Sequence, residues 1–247
     1  MKKTIALVAI FISAYLFFVI QSLPVSAILN AAPLPKNVNL GQASGSAWNF
    51  NLSYIQIDEV VVNDVNVDMR ALSLLTFDPI FDIKFGSPMA YGPEGSVTVS
   101  GLNSQLSIEN LNVTLAANDI ARQLPLPVPV EAKSDVTMRI QTFVLGKPVC
   151  EVLDGQVDWR AASVIAMEER VELGDLSAKL ACDKGNIIAT IAPDNVLGLT
   201  FEAVVSENFR TQGDGHIKPT SKTPEAITQM LPFIGKPDNQ GRYRLRF

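Results

Sequence analysis

From residue 38 onwards, the sequence repeatedly alternates apolar and polar side chains with a period of two residues. The clearest runs cover 96–100, 111–115 and 136–143, and less strict ones cover 154–160, 171–182, 186–191 and 199–205. Successive side chains of a strand point to opposite faces of its sheet, so each run predicts a half-buried strand. Gly, Asn and Asp residues between the runs are typical of antiparallel connections. The sequence therefore predicts an all-β, mainly antiparallel body.

A longer alternating segment covers residues 54–69. Its apolar residues of one parity are predicted to share the buried face, and they are Ile55, Ile57, Val61, Val65 and Val67. The pattern breaks in the middle, which indicates a hairpin with a turn at Asn63-Asp64. Helix is expected at 117–124 and in a short C-terminal helix at 223–230, where Thr223 caps, Pro224 takes the first position and Pro232 ends the helix.

The first thirty residues contain a long apolar run. Residues 4–20 carry no charge, and Lys2 and Lys3 stand immediately before them. With the apolar residues up to Leu29, the run reaches the roughly 20 residues that cross a bilayer. Val25-Ser26-Ala27 also resembles a signal-peptidase site, so a cleaved signal peptide is the alternative. We favour an uncleaved, single-pass anchor at 1–29 with its N-terminus in the cytoplasm and the bulk of the chain in the periplasm.

Export decides how the two cysteines are interpreted. In an oxidising compartment, Cys150 and Cys182 are most simply a disulfide. Metal binding is the alternative, but two thiols without a nearby histidine make a poor zinc site. Without the two lysines of residues 1–29, the exported part has 18 basic and 25 acidic residues, a net charge of −7. This charge gives no reason to expect nucleic acid as a partner.

Proline-containing segments suggest the domain boundaries. Pro24, Pro33 and Pro35 indicate a juxtamembrane linker at 30–37, followed by one β-rich domain at 38–247. In the segment 124–130, every second residue from Pro125 to Pro129 lacks an amide donor, so this segment cannot be a central strand. It is predicted to be an extended connector. One organisation consistent with such a connector is a domain of two halves joined near 124–130.

Two motifs stand near the two ends of the predicted domain. The first lies at 41–49 and includes Gly45 and Trp48. The second is the C-terminal sequence Gly241-Arg242-Tyr243-Arg244-Leu245-Arg246-Phe247. Together with the lysine pair, the apolar run and the cysteine pair, the order of these motifs resembles that of the GspN family, the N component of type II secretion systems, over nearly the whole chain.

The resemblance implies an accessory inner-membrane component that contacts other inner-membrane proteins of the secretion apparatus. It also implies kinship with AsmA-like proteins, and so a curved sheet or open sandwich-like body with an apolar concave face. A periplasmic lipid- or hydrophobe-binding groove is the alternative function. From the residues themselves, Trp48 is interpreted as a core side chain or an interface anchor. The arginines at 242, 244 and 246 are interpreted as a solvated strand face or a row that binds an acidic partner.

Motifs of catalysis and cofactor binding are not found in the sequence. His216 is the single histidine, so a catalytic triad or a histidine-rich metal site would have to be built on it. Convergence of several ionisable groups around His216 would argue against a purely structural role. Glu168, Glu169, Glu172 and Asp175 form the densest acidic stretch, which we interpret as a charged loop rather than a glycosidase pair. No catalytic residue, cofactor or metal is predicted, and the protein is not expected to be an enzyme.

Overall fold

The structure is a computed structural model of the chain. It describes residues 11–12, 15, 18–19, 22–31, 35, 37–58, 60–87, 92–102, 104–123, 130–166, 169–207 and 210–246. Fifteen strands within these ranges form one sheet in which the strands pair in antiparallel fashion, in accordance with the alternating sequence pattern. The strands are β1 Val38–Leu40, β2 Ala43–Gly45, β3 Asn49–Ile57, β4 Val60–Met69, β5 Phe81–Phe85, β6 Glu94–Ser100, β7 Ser107–Ala116, β8 Val130–Lys133, β9 Asp135–Leu145, β10 Cys150–Ala166, β11 Glu169–Asp183, β12 Asn186–Ile191, β13 Leu199–Val205, β14 Thr211–Ile217 and β15 Tyr243–Arg246.

The strands follow one another across the sheet almost in chain order. The sheet order is β1-β3-β4-β5-β6-β7-β9-β10-β11-β12-β13-β14-β15, with β2 added to β3 and β8 added to β10. The helices are α1 Val25–Ala31, α2 Ala117–Gln123 and α3 Glu225–Ile234, and a 3₁₀ helix covers Ala71–Thr76. The strand registers place Met69, Phe81 and Cys150 at one end of the sheet, called here the disulfide end. Helix α3, which lies between β14 and β15, is at the opposite end.

Two adjacent rows of residues show how the faces of the sheet differ. One apolar row crosses nine strands in register from β6 to β15, and its members are Gly95, Val113, Met138, Val157, Ala178, Ile191, Phe201, Gly215 and Leu245. The next row projects from the other face and is polar, with members Asn112, Arg139, Gln156, Lys179, Thr190, Glu202, Asp214 and Arg246. Cross-strand neighbours share a face, so the sheet has one apolar and one polar side.

The apolar residues of β10 and β11 change from odd to even positions along each strand. A bulge in each strand keeps these side chains on the same face of the sheet. On β10, register shifts between Trp159 and Ser163 surround Ala161, which has a φ of 45°. On β11, Gly174 has a φ of 70° at the matching position. Each strand gains one extra residue at its bulge. The apolar residues on the buried face therefore have odd numbers before each bulge and even numbers after it. The bulge at Gly174 explains why the alternation in 171–182 is less strict than elsewhere, and the bulge at Ala161 marks the end of the run at 154–160.

The hairpin predicted within 54–69 has a different register. Its turn follows Asp58 rather than Asn63-Asp64, and β4 runs without interruption from Val60 to Met69. Asp64 has a φ of 49°, and the parity of β4 changes there. As a result Val62, not Val61, packs with Ile55 in the buried cluster, and the prediction that Val61 belongs to the buried face is wrong.

Among the described residues, buried apolar side chains form two separate clusters. One is formed by Leu52, Val65 and Val67, with Leu29 of α1 packed against it. The other is formed by Ala162, Val171, Leu173 and Leu197, with Ala226 and Ile227 of α3 against it. Each cluster is covered by a helix, and the strands within the described ranges all belong to one sheet, so no second sheet faces it there. The open-sheet prediction is confirmed, and the sandwich-like alternative is not supported.

The helices differ from the prediction in their bounds. Helix α2 matches the expected 117–124 segment closely. Helix α3 begins after Pro224, and Thr223 donates to the carbonyl oxygen of Val196 (3.0 Å) instead of capping the helix. Pro232 lies inside α3, which continues to Ile234, so the prediction that this proline ends the helix is wrong.

The N-terminal segment is described only in part. Within the described residues, no helix has both the length and the apolar character needed to span a bilayer. The first ten residues of the predicted anchor lie outside the described residues, as does 124–129 of the predicted connector. Helix α1 crosses the expected boundary between anchor and linker. On either side of the connector, β7 and β9 pair directly, so the sheet is continuous there.

A carboxylate on the polar face is buried at the centre of the sheet. Asp158 is 4% exposed, and its Oδ1 accepts from Ser177 Oγ and Gln156 Nε2, both at 2.6 Å. Its Oδ2 accepts from Arg139 Nη2. Burial raises the pKa of Asp158, but the two hydrogen bonds and the positive charge of Arg139 outweigh this, so its pKa lies below the ordinary value. The network joins β9, β10 and β11.

We expect Asp158→Asn to lower the free energy of unfolding by about 1–3 kcal/mol, because an amide cannot accept all of these hydrogen bonds. Urea denaturation followed by circular dichroism measures the change. Asp154→Asn is the matched control, since Asp154 is exposed on the same strand. Equal stability of the two variants would contradict a structural role for the network.

The cysteines form the expected disulfide between the start of β10 and the end of β11. Cys150 and Cys182 are 32 residues apart in sequence, and the amides of Val149 and Cys150 both donate to the carbonyl oxygen of Gly185 (2.9 and 3.0 Å). Cys150 is buried. The bond thus closes the disulfide end of the longest hairpin.

We expect the double variant Cys150→Ala, Cys182→Ala to lose up to about 3.7 kcal/mol of unfolding free energy, the chain-entropy value for a loop of this length. Urea denaturation of the variant is compared with that of the unmodified chain in reducing and oxidising buffer. The reduced chain should resemble the variant. A change under about 1 kcal/mol would show that the hairpin does not depend on the bond.

Candidate interaction surfaces

Much of the apolar face is only half covered. Between the clusters that α1 and α3 cover, members of the apolar row such as Val113, Met138 and Phe201 are half-buried. The chain exposes 16651 Å², whereas a compact monomer of this mass is expected to expose about 10,800 Å². The larger total area is in accordance with an open sheet, and a row of half-exposed apolar side chains on one face of such a sheet is typical of a binding face.

The C-terminal motif forms the last strand of the sheet. Tyr243 pairs with Ile217 and Leu245 with Gly215, so both lie on the apolar face. Arg244 lies on the polar face, where its Nε and Nη2 donate to the two carboxylate oxygens of Asp214, and Arg246 Nε is 4.0 Å from the same carboxylate. The hydrogen bonds from Arg244 lower the pKa of Asp214. The structure therefore supports the solvated strand face, partly neutralised by Asp214.

The turn before β15 is held by a second acid. Asp238 Oδ1 accepts from the amides of Gln240 (2.8 Å) and Arg242 (3.0 Å), and its Oδ2 accepts from Arg242 Nε (2.7 Å). The hydrogen bond from the Arg242 amide is the main reason that the pKa of Asp238 falls to about 2. Gly241 has a φ of 72°, which suits glycine. Phe247, the last residue of the motif, lies outside the described residues.

The outer edge of β15 is open among the described residues. The amide of Lys218 donates to the carbonyl oxygen of Gly198 (3.1 Å). Along an antiparallel pair, the backbone groups of successive residues point alternately toward and away from the partner strand. His216 lies two residues before Lys218, so its N–H and C=O also point toward β13. Arg244 is paired with His216, and its own N–H and C=O consequently point away from β14. These groups can accept a further strand.

The N-terminal motif forms the turn between β2 and β3, at the opposite edge of the sheet from β15. Gly45 has a φ of 106°, and a Cβ there would lie 2.5 Å from the carbonyl oxygen of Asn49. Trp48 is half-buried and its carbonyl oxygen accepts from the amide of Met69 (2.7 Å). Trp48 belongs to neither buried cluster. The two family motifs are thus not brought together.

His216 lines a small open pocket of about 260 Å³ with two other ionisable side chains, Lys218 and Arg242. Thr200 and Thr220 also line it. Such a convergence around His216 was the observation expected to argue against a structural role. The lining residues supply cationic groups and hydroxyls but no carboxylate or thiol, so the pocket suits an anionic group better than acid–base catalysis.

The acidic stretch lies mainly on strand β11 and not in a loop. Glu172 accepts from Arg170 (2.7 Å), and Asp175 accepts from the amide of Ala161 (2.8 Å) at the bulge. Glu168 lies outside the described residues. Across the part of the chain that the structure describes, there is no group of three or more His, Cys, Asp or Glu side chains that could hold a metal ion.

One exposed apolar group was not predicted from the sequence. It lies in the loop between β4 and β5 and consists of Leu72, Leu75 and Phe77, which are 79%, 78% and 85% exposed. We call these three side chains the apolar knob. Residues 71–77 contain no charged side chain, so their apolar character could be recognised from the sequence. Their exposure could not be read from the sequence.

Comparisons with known proteins agree with the resemblance found in the sequence. The family model described as Type II secretion system (T2SS), protein N matches residues 36–246. No solved structure matches the chain.

Several curated relatives carry the name Type II secretion system protein N, and three of them match nearly the whole chain as follows. The protein from Aeromonas hydrophila is 28% identical over 100% of this chain and 98% of its own length. The protein from Vibrio cholerae is 25% identical over 98% and 97%, and that from Klebsiella pneumoniae is 24% identical over 100% and 96%. The family match covers most of the chain, and the chain therefore belongs to the family of type II secretion system protein N.

Proposed function

We propose that the protein is an accessory component of the type II secretion system, held in the inner membrane by its N-terminal segment, with its sheet in the periplasm. In this role it supports export of folded proteins through contacts with other inner-membrane components of the apparatus. The family match over 36–246 is the observation that carries the proposal. The charge-free run at 4–20 behind two lysines supports the anchor and its orientation.

The open edge of β15 is the best-defined contact surface for such a role. Strand addition uses main-chain hydrogen bonds for affinity and side-chain pockets for specificity. The backbone of Arg244 points outward, and its guanidinium is held by Asp214. The strand is therefore ordered before a partner arrives, which lowers the entropic cost of binding.

We expect Arg244→Pro to reduce recovery of the inner-membrane secretion components with the protein about tenfold. Proline removes the outward-facing donor of β15 and blocks the added strand, and one or two lost hydrogen bonds are worth about one factor of ten. The measurement is gentle detergent extraction, affinity purification of the full chain and quantitative mass spectrometry of the co-purified proteins.

Arg244→Ala is the matched control for this experiment. It also removes the ion pair with Asp214 but keeps the backbone amide, so recovery should stay near that of the unmodified chain. Equal losses in both variants would assign the effect to the ion pair. Undiminished recovery with Arg244→Pro would exclude this edge as the contact.

A second candidate function is the binding of a lipid acyl chain on the apolar face. The specific observation that favours it is the half-exposed apolar row in the middle of the sheet. In a neighbouring row of the same face, Ala189 pairs with Leu180 and Ala203. Small side chains at two of these positions leave space beside the sheet.

We expect Ala189→Lys to reduce crosslinking of a photoreactive fatty acid to the full chain at least fivefold, because a charge on this face opposes apolar binding. Thr190→Lys is the matched control, since Thr190 is the next residue of β12 and lies on the polar face. Crosslinking is measured by mass spectrometry of the detergent-solubilised protein. Absence of crosslinking in the unmodified chain, or equal loss in both variants, would exclude this function.

A further inference from the structure

The apolar knob is part of an ordered loop. Ser73 is buried at its centre, where its hydroxyl donates to the carbonyl oxygen of Arg70 (2.6 Å) and accepts from the amide of Ile80 (2.9 Å). The amide of Arg70 also donates to the carbonyl oxygen of Ile80 (2.9 Å), which closes the base of the loop. Arg70 forms a bidentate ion pair with Asp82 at 2.7 and 2.8 Å. The backbone therefore holds the three apolar side chains outward.

The base of this loop is joined by hydrogen bonds to the end of the N-terminal apolar segment. The amide of Met69, just before the loop, donates to the carbonyl oxygen of Trp48 (2.7 Å). The amide of Ala47, one residue earlier in the same turn, donates to the carbonyl oxygen of Leu23 (2.9 Å). Pro24 forms an isolated bridge with Ser46. The N-terminal segment and the apolar knob therefore lie at the same end of the sheet.

We propose that the apolar knob inserts into the headgroup region of the same bilayer that the N-terminal segment occupies. This inference rests on the proposed anchoring and adds a second point of attachment. A single helix allows the sheet to rotate and tilt, whereas a helix and a knob hold its disulfide end against the membrane.

The charge of the protein favours apolar contact with the bilayer. The exported part carries a net charge of −7, so anionic lipids repel it as a whole. Residues 71–77 have no charge, and the flanking Arg70 is already paired with Asp82. Leucine and phenylalanine side chains are suited to the boundary between headgroups and acyl chains. The apolar knob lies at the end of the sheet that is hydrogen-bonded to Leu23, and this position gives it access to that boundary.

A tryptophan placed in the apolar knob tests the proposal. The full chain is reconstituted into vesicles of phosphatidylethanolamine and phosphatidylglycerol, with part of the lipid brominated close to the headgroup. Leu75→Trp adds one fluorophore to Trp48 and Trp159, whose emission is measured in the unmodified chain and subtracted. We expect brominated lipid to quench the added emission at least twofold, and the same is expected for Leu72→Trp as a second probe.

Phe233→Trp is the matched control. Phe233 is 90% exposed in α3, at the opposite end of the sheet, so its added emission should not be quenched. Equal quenching of both probes, or none at Leu75→Trp in a chain that floats with the vesicles, would overturn the inference while leaving the anchor intact. Failure of the chain to float would overturn both. The Leu75→Trp emission could instead be shielded from a water-soluble quencher in native membranes that contain the secretion proteins but not in vesicles of lipid alone. That result would assign the apolar knob to a protein partner and overturn the lipid contact.

Discussion

The register of one antiparallel sheet determines every other feature of this protein. Each strand pairs with its neighbours so that an apolar row and a polar row run side by side across the sheet, for example through Ala178 and Lys179 of β11. With no second sheet among the described residues, the clusters of buried apolar residues are confined to the patches under α1 and α3. Stability must then depend strongly on backbone pairing, on the Asp158 network and on the disulfide. The same limitation leaves apolar surface available for binding.

Sequence alternation predicted the strands well where no residue adopts a left-handed backbone conformation. The strand at 136–143 lies within β9 as expected. The prediction failed at 54–69 because Asp58 and Asp64 both have positive φ, and only one of them makes the turn. Aspartate tolerates this conformation in turns and in bulges alike. Which of the two aspartates makes the turn depends on how β4 pairs with β3 and β5. The local sequence alone does not determine this pairing.

The candidate surfaces were predictable to different degrees for a similar reason. The cysteine pair and the alternation of the C-terminal motif follow from residue type and spacing, so Cys150, Cys182 and Tyr243 could be placed in advance. The partners of the arginines could not, since Asp214 and Asp238 meet them across a strand pair and across a turn. The apolar knob was missed because residues 71–77 read equally well as a buried segment. Its exposure results from the closure of the loop by Ser73, which depends on contacts with both flanking strands.

The ion pairs of β15 limit what kind of partner this edge can select. Asp214 offsets the charge of Arg244 and approaches Arg246, while Asp238 holds Arg242. These pairs are exposed, so each contributes little to stability, but together they lower the net positive charge of the strand. A partner attracted by charge alone would find a nearly balanced surface. Recognition at this edge must therefore depend on the outward backbone groups and on the apolar side chains Tyr243 and Leu245, which extend the apolar face to the last strand of the sheet.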